Sequence, residues 1–203
     1  MLTNERTEKR DPRVKRTDQL LKQTLEQLLG EKDFRSITVQ DIVERADINR
    51  ATFYAHFEDK FALLNYSVEA TLQQNLENRS PNVALFSMAN LRALAASVFE
   101  FGVNEHCHPS NRNLGPVLIA PRVQQFIYDT LLGWLRRAEA DALLHTASPE
   151  QAAMALSWVI SGARFGWLRR GRHQPSDAYV DETISVLKPM LRAYFVDSAI
   201  TAQ

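Results

Sequence analysis

Arg50, Thr52, Tyr54 and His56 stand within seven residues of one another, interleaved with Ala51, Phe53 and Ala55 and followed by Phe57. On a helix, Phe53 and Phe57 share one face, which leaves Arg50, Ala51, Thr52, Tyr54 and His56 facing outward. A guanidinium, a hydroxyl, a phenol and an imidazole on one short surface contain no nucleophile–base pair. They are hydrogen-bonding groups of the kind that meets base edges and phosphates. Arg50 and Thr52, near the helix N-terminus, are placed for base edges or adjacent phosphates; Tyr54, His56 and Thr38 are placed to position the backbone.

Several elements must hold that surface. Thr38 can cap a first short helix, with Asp41 reaching back three residues later, and Ile42, Val43 and Ala46 give that helix a small apolar face. Asp47-Ile48-Asn49 is too short to be more than a turn; Asp and Asn both tolerate left-handed backbone, and Asn49 is a good cap for the helix that follows. Two short helices crossing steeply over such a turn form a helix-turn-helix, whose second member can enter the DNA major groove. A preceding helix, about Thr17 to Leu29, carries Leu20, Leu21, Leu25, Leu28 and Leu29 at helical spacing and stops at Gly30. Its leucine face, with Phe34 and Ile37, braces the pair. Asp59 caps the next helix and puts Lys60 in its first turn, where a cation opposes the helix dipole. A phosphate bound at that terminus would favour Lys60; a solvated lysine is the alternative.

The ordered set Thr38, Ile42-Val43, Ala46, Ile48, Thr52-Phe53-Tyr54, His56-Phe57, Lys60 and Leu63-Leu64 closely resembles the DNA-binding domain of the TetR (tetracycline-repressor-like) family of bacterial regulators. Most members carry glycine at the turn, where this chain has Asp47; a left-handed Asp is strained in a way Gly is not. The resemblance implies a homodimeric repressor of a palindromic operator, released by a small apolar effector, with Lys60 on a phosphate.

Composition sets the outer bounds. The chain has 203 residues, enough for a sizeable core, with ordinary hydrophobic and charged fractions. No apolar run is long enough to span a bilayer and the first residues hold no apolar signal core, so a soluble cytoplasmic protein with no membrane partner is expected. Cys107 is the single cysteine, which rules out an internal disulfide framework. Formal net charge is zero, so affinity for a polyanion must come from local charge. One such source is the polar run Glu5 to Arg16, where Arg10, Arg13, Lys15 and Arg16 concentrate. It fits either a solvated terminus or a flexible arm whose cations approach phosphates or the minor groove.

The organisation expected is all-α, about nine helices: an arm over 1–16, a helix-turn-helix domain over 17–64 whose last helix continues to about 79, and a helical regulatory and dimerisation domain over 80–203. That last helix carries Leu63, Leu64, Val68, Leu72 and Leu76 as one stripe. Ser80-Pro81 reads as a cap followed by a helix-opening proline, with a helix running to about His106. His106-Cys107-His108 invites a metal reading, but adjacent side chains diverge and no spaced ligand set accompanies them. Pro121 opens a helix to about Leu144, and Ser148-Pro149-Glu150-Gln151 starts another that stops near Gly171. Pro175-Ser176-Asp177 opens the last, which Pro189 should kink or interrupt. Gly162 and Gly166, beside Ala155 and Ala163, permit close backbone approach. The resemblance implies that residues of about 149–171 and 176–197 pair with their copies in a homodimer, and these small residues allow it; an intramolecular core is the alternative.

Leu94, Val98, Phe101, Phe126, Tyr128 and Trp158 are candidate walls of an effector pocket, although aromatics at helical spacing also build plain cores. No Gly-rich phosphate loop or metal cluster is present, and no cofactor is expected. His145 and His173 have no catalytic partners in sequence, so an enzyme is not expected. The competing reading is a protein–protein coregulator on the same scaffold. Neutral charge favours it; the intact outward set and Lys60 oppose it.

Overall fold

The computed structural model of the chain describes residues 11–80, 82–101, 111, 118–140, 148–170 and 176–194. Arg10, the His106-Cys107-His108 triplet, His145 and His173 lie outside them. The described residues contain eight α-helices and no strand, in keeping with the all-α expectation: α1 (Pro12–Glu31), a 3-10 turn (Phe34–Ser36), α2 (Val39–Ala46), α3 (Arg50–His56), α4 (Lys60–Arg79), α5 (Met88–Glu100), α6 (Ala120–Ala140), α7 (Pro149–Arg169) and α8 (Ser176–Tyr194). The chain forms two compact units, one of residues 1–68 and 105–119 and one of 69–104 and 120–203. Of the described residues after α5, Asn111 and residues 118–119 group with the N-terminal unit. α4 is shared between the two.

In the first unit, α1 starts at Pro12, ahead of the expected Thr17. The Asp11 side chain accepts from Arg13 N at 2.9 Å and proline takes the first helical position. Arg13, Lys15 and Arg16 accordingly sit exposed on the opening turns of a helix, not on an arm. Leu21, Leu25, Phe34, Ile37, Ile42, Phe53 and Leu63 have no exposed surface and form the core against which α2 and α3 are set.

In the second unit, α6 packs on α7, and α8 packs on α5 and α7. Leu91, Leu94, Val98 and Phe99 of α5, Ile127, Leu131 and Leu135 of α6, Leu156 and Ile160 of α7, and Val180, Leu187 and Leu191 of α8 are fully buried. Ser80 opens no helix; α5 begins only at Met88, capped by Ser87. The cause is Asn90, whose Nδ2 donates to the carbonyls of Asn82 and Leu85 at 2.7 Å each and whose Oδ1 takes the buried Ser80 hydroxyl. Trp134 Nε1 donates to Val83 O at 2.7 Å. These bonds satisfy the loop carbonyls from outside, so a helix there has no advantage. The Ser148 cap of α7 is present, its Oγ accepting from Gln151 N at 3.2 Å. α8 continues through Pro189 unbroken. Ser185 and Pro189 are both exposed, so the Ser185 carbonyl deprived of its partner can face water.

Candidate nucleic-acid interface

The α2–α3 pair is fixed by local hydrogen bonds. At the start of α2, Asp41 N donates to Thr38 Oγ1 at 3.1 Å and Thr38 N donates to Asp41 Oδ2 at 2.7 Å, a reciprocal capping box. Lys32 Nζ pairs with Asp41 Oδ1 at 2.8 Å. The Lys32 ammonium first, then the Thr38 backbone and hydroxyl, bring the Asp41 carboxyl down to about 2 from an ordinary 3.8. α2 ends at Asp47 in left-handed backbone, φ 52° and ψ 48°, among the described residues the only non-glycine with positive φ. Its carboxamide relative Asn49 then caps α3, accepting from Thr52 N at 2.7 Å and from the Thr52 hydroxyl at 3.0 Å.

α3 buries Phe53 completely and shows the opposite face to solvent: Arg50, Ala51 and Tyr54 are exposed, with Tyr54 at 50%, and Thr52 is half-buried. The guanidinium of Arg50 lies 6.0 Å from the centre of the Tyr54 ring, with an Nη2–Oη distance of 3.5 Å, so both groups lie along one edge of the helix. On the flank of α2, Arg45 makes a two-pronged pair with Glu31 at 2.8 Å and 2.8 Å, which raises the arginine and lowers the carboxyl from their ordinary values.

The remaining expected contacts are differently placed. His56 turns inward: its Nδ1 lies 2.7 Å from Oδ1 of Asp18 in α1, and its side chain is 13% exposed. Lys60 does not extend into solvent. Its Nζ donates to the carbonyls of Phe34, Arg35 and Ile37 at 2.9, 3.1 and 2.6 Å, and burial lowers its pKa from the ordinary lysine value. Thr38, Arg50, Ala51 and Tyr54 are thus exposed and Thr52 half-buried, while His56 and Lys60 are engaged within the unit. Asp18 is a residue the sequence reading missed. It occupies a stripe position of α1, three before Leu21 and seven before Leu25, and a carboxylate there signals a buried polar partner.

The six residues proposed to wall an effector pocket are scattered within the second unit. Leu94 and Val98 are fully buried core, Phe126 is nearly so, Phe101 and Tyr128 are half-buried, and Trp158 is 62% exposed on α7. An open groove does run between α7 and α8, bounded by Val159, Ala163, Gly166, Tyr179, Thr183 and Val186, none of them among those six. No helix of the described residues is long and apolar enough to cross a membrane, and none of their His, Cys, Asp and Glu side chains cluster in threes around a metal-sized site.

Residues 22–66 match the family model described as bacterial regulatory proteins, tetR family. The chain is 28% identical over 182 residues to YxbF of Bacillus subtilis, an uncharacterized HTH-type transcriptional regulator, covering 87% of this chain and 46% of that one. The chain therefore spans about half the length of this relative. Among solved structures it is similar to SmeT, the repressor of the Stenotrophomonas maltophilia multidrug efflux pump SmeDEF, with TM-score 0.54 and 20% identity over 93% of this chain and 95% of that one. It is also similar to the regulator FadR of Bacillus subtilis in complex with stearoyl-CoA, with TM-score 0.56 and 12% identity over 83% and 96% of the two chains. At these identities the structural likeness shows the fold.

Proposed function

Starting from the chain's membership of the TetR family of bacterial regulatory proteins, we propose that it is a cytoplasmic homodimeric repressor that binds a palindromic operator through α3 and is released by a small apolar effector. The observation that carries the reading is the outward face of α3, where Arg50, Thr52 and Tyr54 stand clear of a core sealed by Phe53 and Phe57. Arg50 is suited to bidentate contact with a guanine edge or a phosphate, and Thr52 to a base or phosphate oxygen. The exposed Arg13, Lys15 and Arg16 on the first turns of α1 add local positive charge to a chain with none in net.

One short helix reads only a few base pairs, so two copies are required for a full operator. Support for pairing comes from α7, where Met154, Trp158 and Phe165 are 46%, 62% and 55% exposed and fall with Gly162 on one stripe. A Cβ added at Gly162 or Gly166 meets nothing within 4 Å, so no neighbour in this chain requires their smallness. Val186 of α8, 57% exposed, extends the apolar surface. A second copy laid on this face would bury it. The effector would act in the second unit, with α4 as the helix that carries its effect to the first; FadR, bound to stearoyl-CoA, is a precedent in fold for a ligand with a long apolar chain.

The test is a titration of the purified protein against DNA upstream of its own gene, followed by fluorescence anisotropy in a salt series. The reading requires salt-steep binding to an inverted repeat; absence of binding even at low salt would sink it.

A further inference from the structure

Phe34 sits in the connector between α1 and α2, and its two backbone polar groups are taken by side chains from opposite directions in the sequence. Its carbonyl accepts from Lys60 Nζ at 2.9 Å, and its amide donates to Oδ1 of Asn111 at 2.8 Å. Lys60 also holds the carbonyls of Arg35 and Ile37, while Asn111 Nδ2 donates to those of Leu29 at 2.8 Å and Lys32 at 2.9 Å. Two side chains thus satisfy six backbone groups between Leu29 and Ile37, the residue immediately before the Thr38 cap. Asn111 is 4% exposed and uses its acceptor and both donors. The ammonium of Lys60 has three hydrogens, one for each carbonyl, and lies 4.8 Å from the centre of the Phe34 ring.

We infer that Lys60 and Asn111 are a two-sided backbone clamp on the α1–α2 connector, positioning residues that set where α2, and hence α3, is presented to DNA. This rests on the DNA-binding reading above and sharpens it. Lys60 contributes to DNA affinity by fixing the connector, not by neutralising a phosphate, because its hydrogens are already committed. Asn111 reaches the connector from 77 residues further along the chain than Phe34, yet belongs to the same unit.

The clamp is tested with full-length Asn111→Ala, Asn111→Asp and Lys60→Met. Hydrogen exchange, which needs no DNA, reads it directly. The Phe34 amide is expected to exchange at least tenfold faster in Asn111→Ala, while Leu25→Val, a core change that removes none of these bonds, leaves it slow; equal protection in Asn111→Ala and the parent overturns the clamp. Asn111→Asp keeps the acceptor for Phe34 N but sets a carboxylate against two carbonyls, and should lose more protection at Leu29–Phe34 than Asn111→Ala does. On operator DNA, Lys60→Met should weaken binding about tenfold with the slope of log K against log salt unchanged. A slope reduced by about one is the signature of a lost phosphate contact and would overturn the role given to Lys60. Should the parent protein bind no DNA, the proposed function fails while the exchange measurement still decides the clamp.

Discussion

His56, the last residue of α3, places its imidazole Nδ1 2.7 Å from the carboxylate of Asp18, a residue of α1 whose side chain is only 2% exposed. The contact joins the end of α3 to α1, across 38 residues of sequence. It also explains how a carboxylate survives on the leucine face of α1: it has a partner able to donate to it. Replacing Asp18 by alanine removes that partner and leaves a half-buried imidazole nitrogen with nothing in its place. We expect the first unit to lose about 3 kcal/mol of stability, at the lower end of what breaking a buried charge-assisted pair costs. Asp18→Asn, which keeps an oxygen acceptor, should recover part of it. Urea unfolding followed by Tyr and Trp fluorescence measures both, and equal stability of Asp18→Ala and the parent would show the contact to be idle.

The capping box makes a prediction with a pH sign. Asp41 has a folded-state pKa of about 2, below its ordinary 3.8. Its stabilisation is therefore fully present above the unfolded value and is lost as pH falls from about 4 towards 2. Taken at face value the shift corresponds to roughly 2 kcal/mol, but the side chain is 31% exposed, and screening brings this towards about 1 kcal/mol, the usual worth of a cap. Asp41→Asn should thus lower stability at pH 7 by about 1 kcal/mol. It should also flatten the acid limb of stability between pH 4 and 2. An acid limb as steep as the parent's would show that other carboxyls control it.

Much of this site was legible because its rules are local. Thr38 with Asp41, Asp47 at the turn, Asn49 before α3, and Phe53 with Phe57 are all set by spacings of three or four residues. Asp11-Pro12 carries the same cap-then-proline signature as Ser148-Pro149, so the earlier start of α1 was equally readable. Lys60 and His56 were recognised as polar members of the motif, yet their partners are backbone carbonyls around Phe34 and a carboxylate in α1, and no periodicity specifies such distant pairings. Ser80-Pro81 shows the converse. A good local start signal was overridden by Asn90, which fastened the following loop from a position ten residues on.

Arg50 is exposed, with its guanidinium 3.5 Å from the Tyr54 hydroxyl, so its removal should leave folding nearly unchanged. Arg50→Ala is expected to weaken operator binding by about 1–3 kcal/mol, roughly ten- to a hundredfold, if its guanidinium reads a base edge. Binding to a scrambled duplex would then fall much less. Competition anisotropy with both duplexes measures the ratio, and a uniform loss on the two would reassign Arg50 to phosphate contact.

The exposed stripe of α7 allows assembly and DNA binding to be separated from folding. Trp158 and Phe165 contribute to the apolar surface without being part of the core, since both are more than half exposed. Trp158→Asp combined with Phe165→Asp should therefore leave the helical circular dichroism signal intact and change thermal stability little when protomers are compared at high dilution. Sedimentation should shift from dimer to monomer, because each charge would have to be buried opposite its own copy. Binding to a full inverted repeat should then fall at least a hundredfold, while a single half-site is bound as weakly as by the parent, since α3 itself is untouched. A variant that remained dimeric would move the interface off this face, and one that bound the full repeat as a monomer would remove the need for two copies in the proposed function.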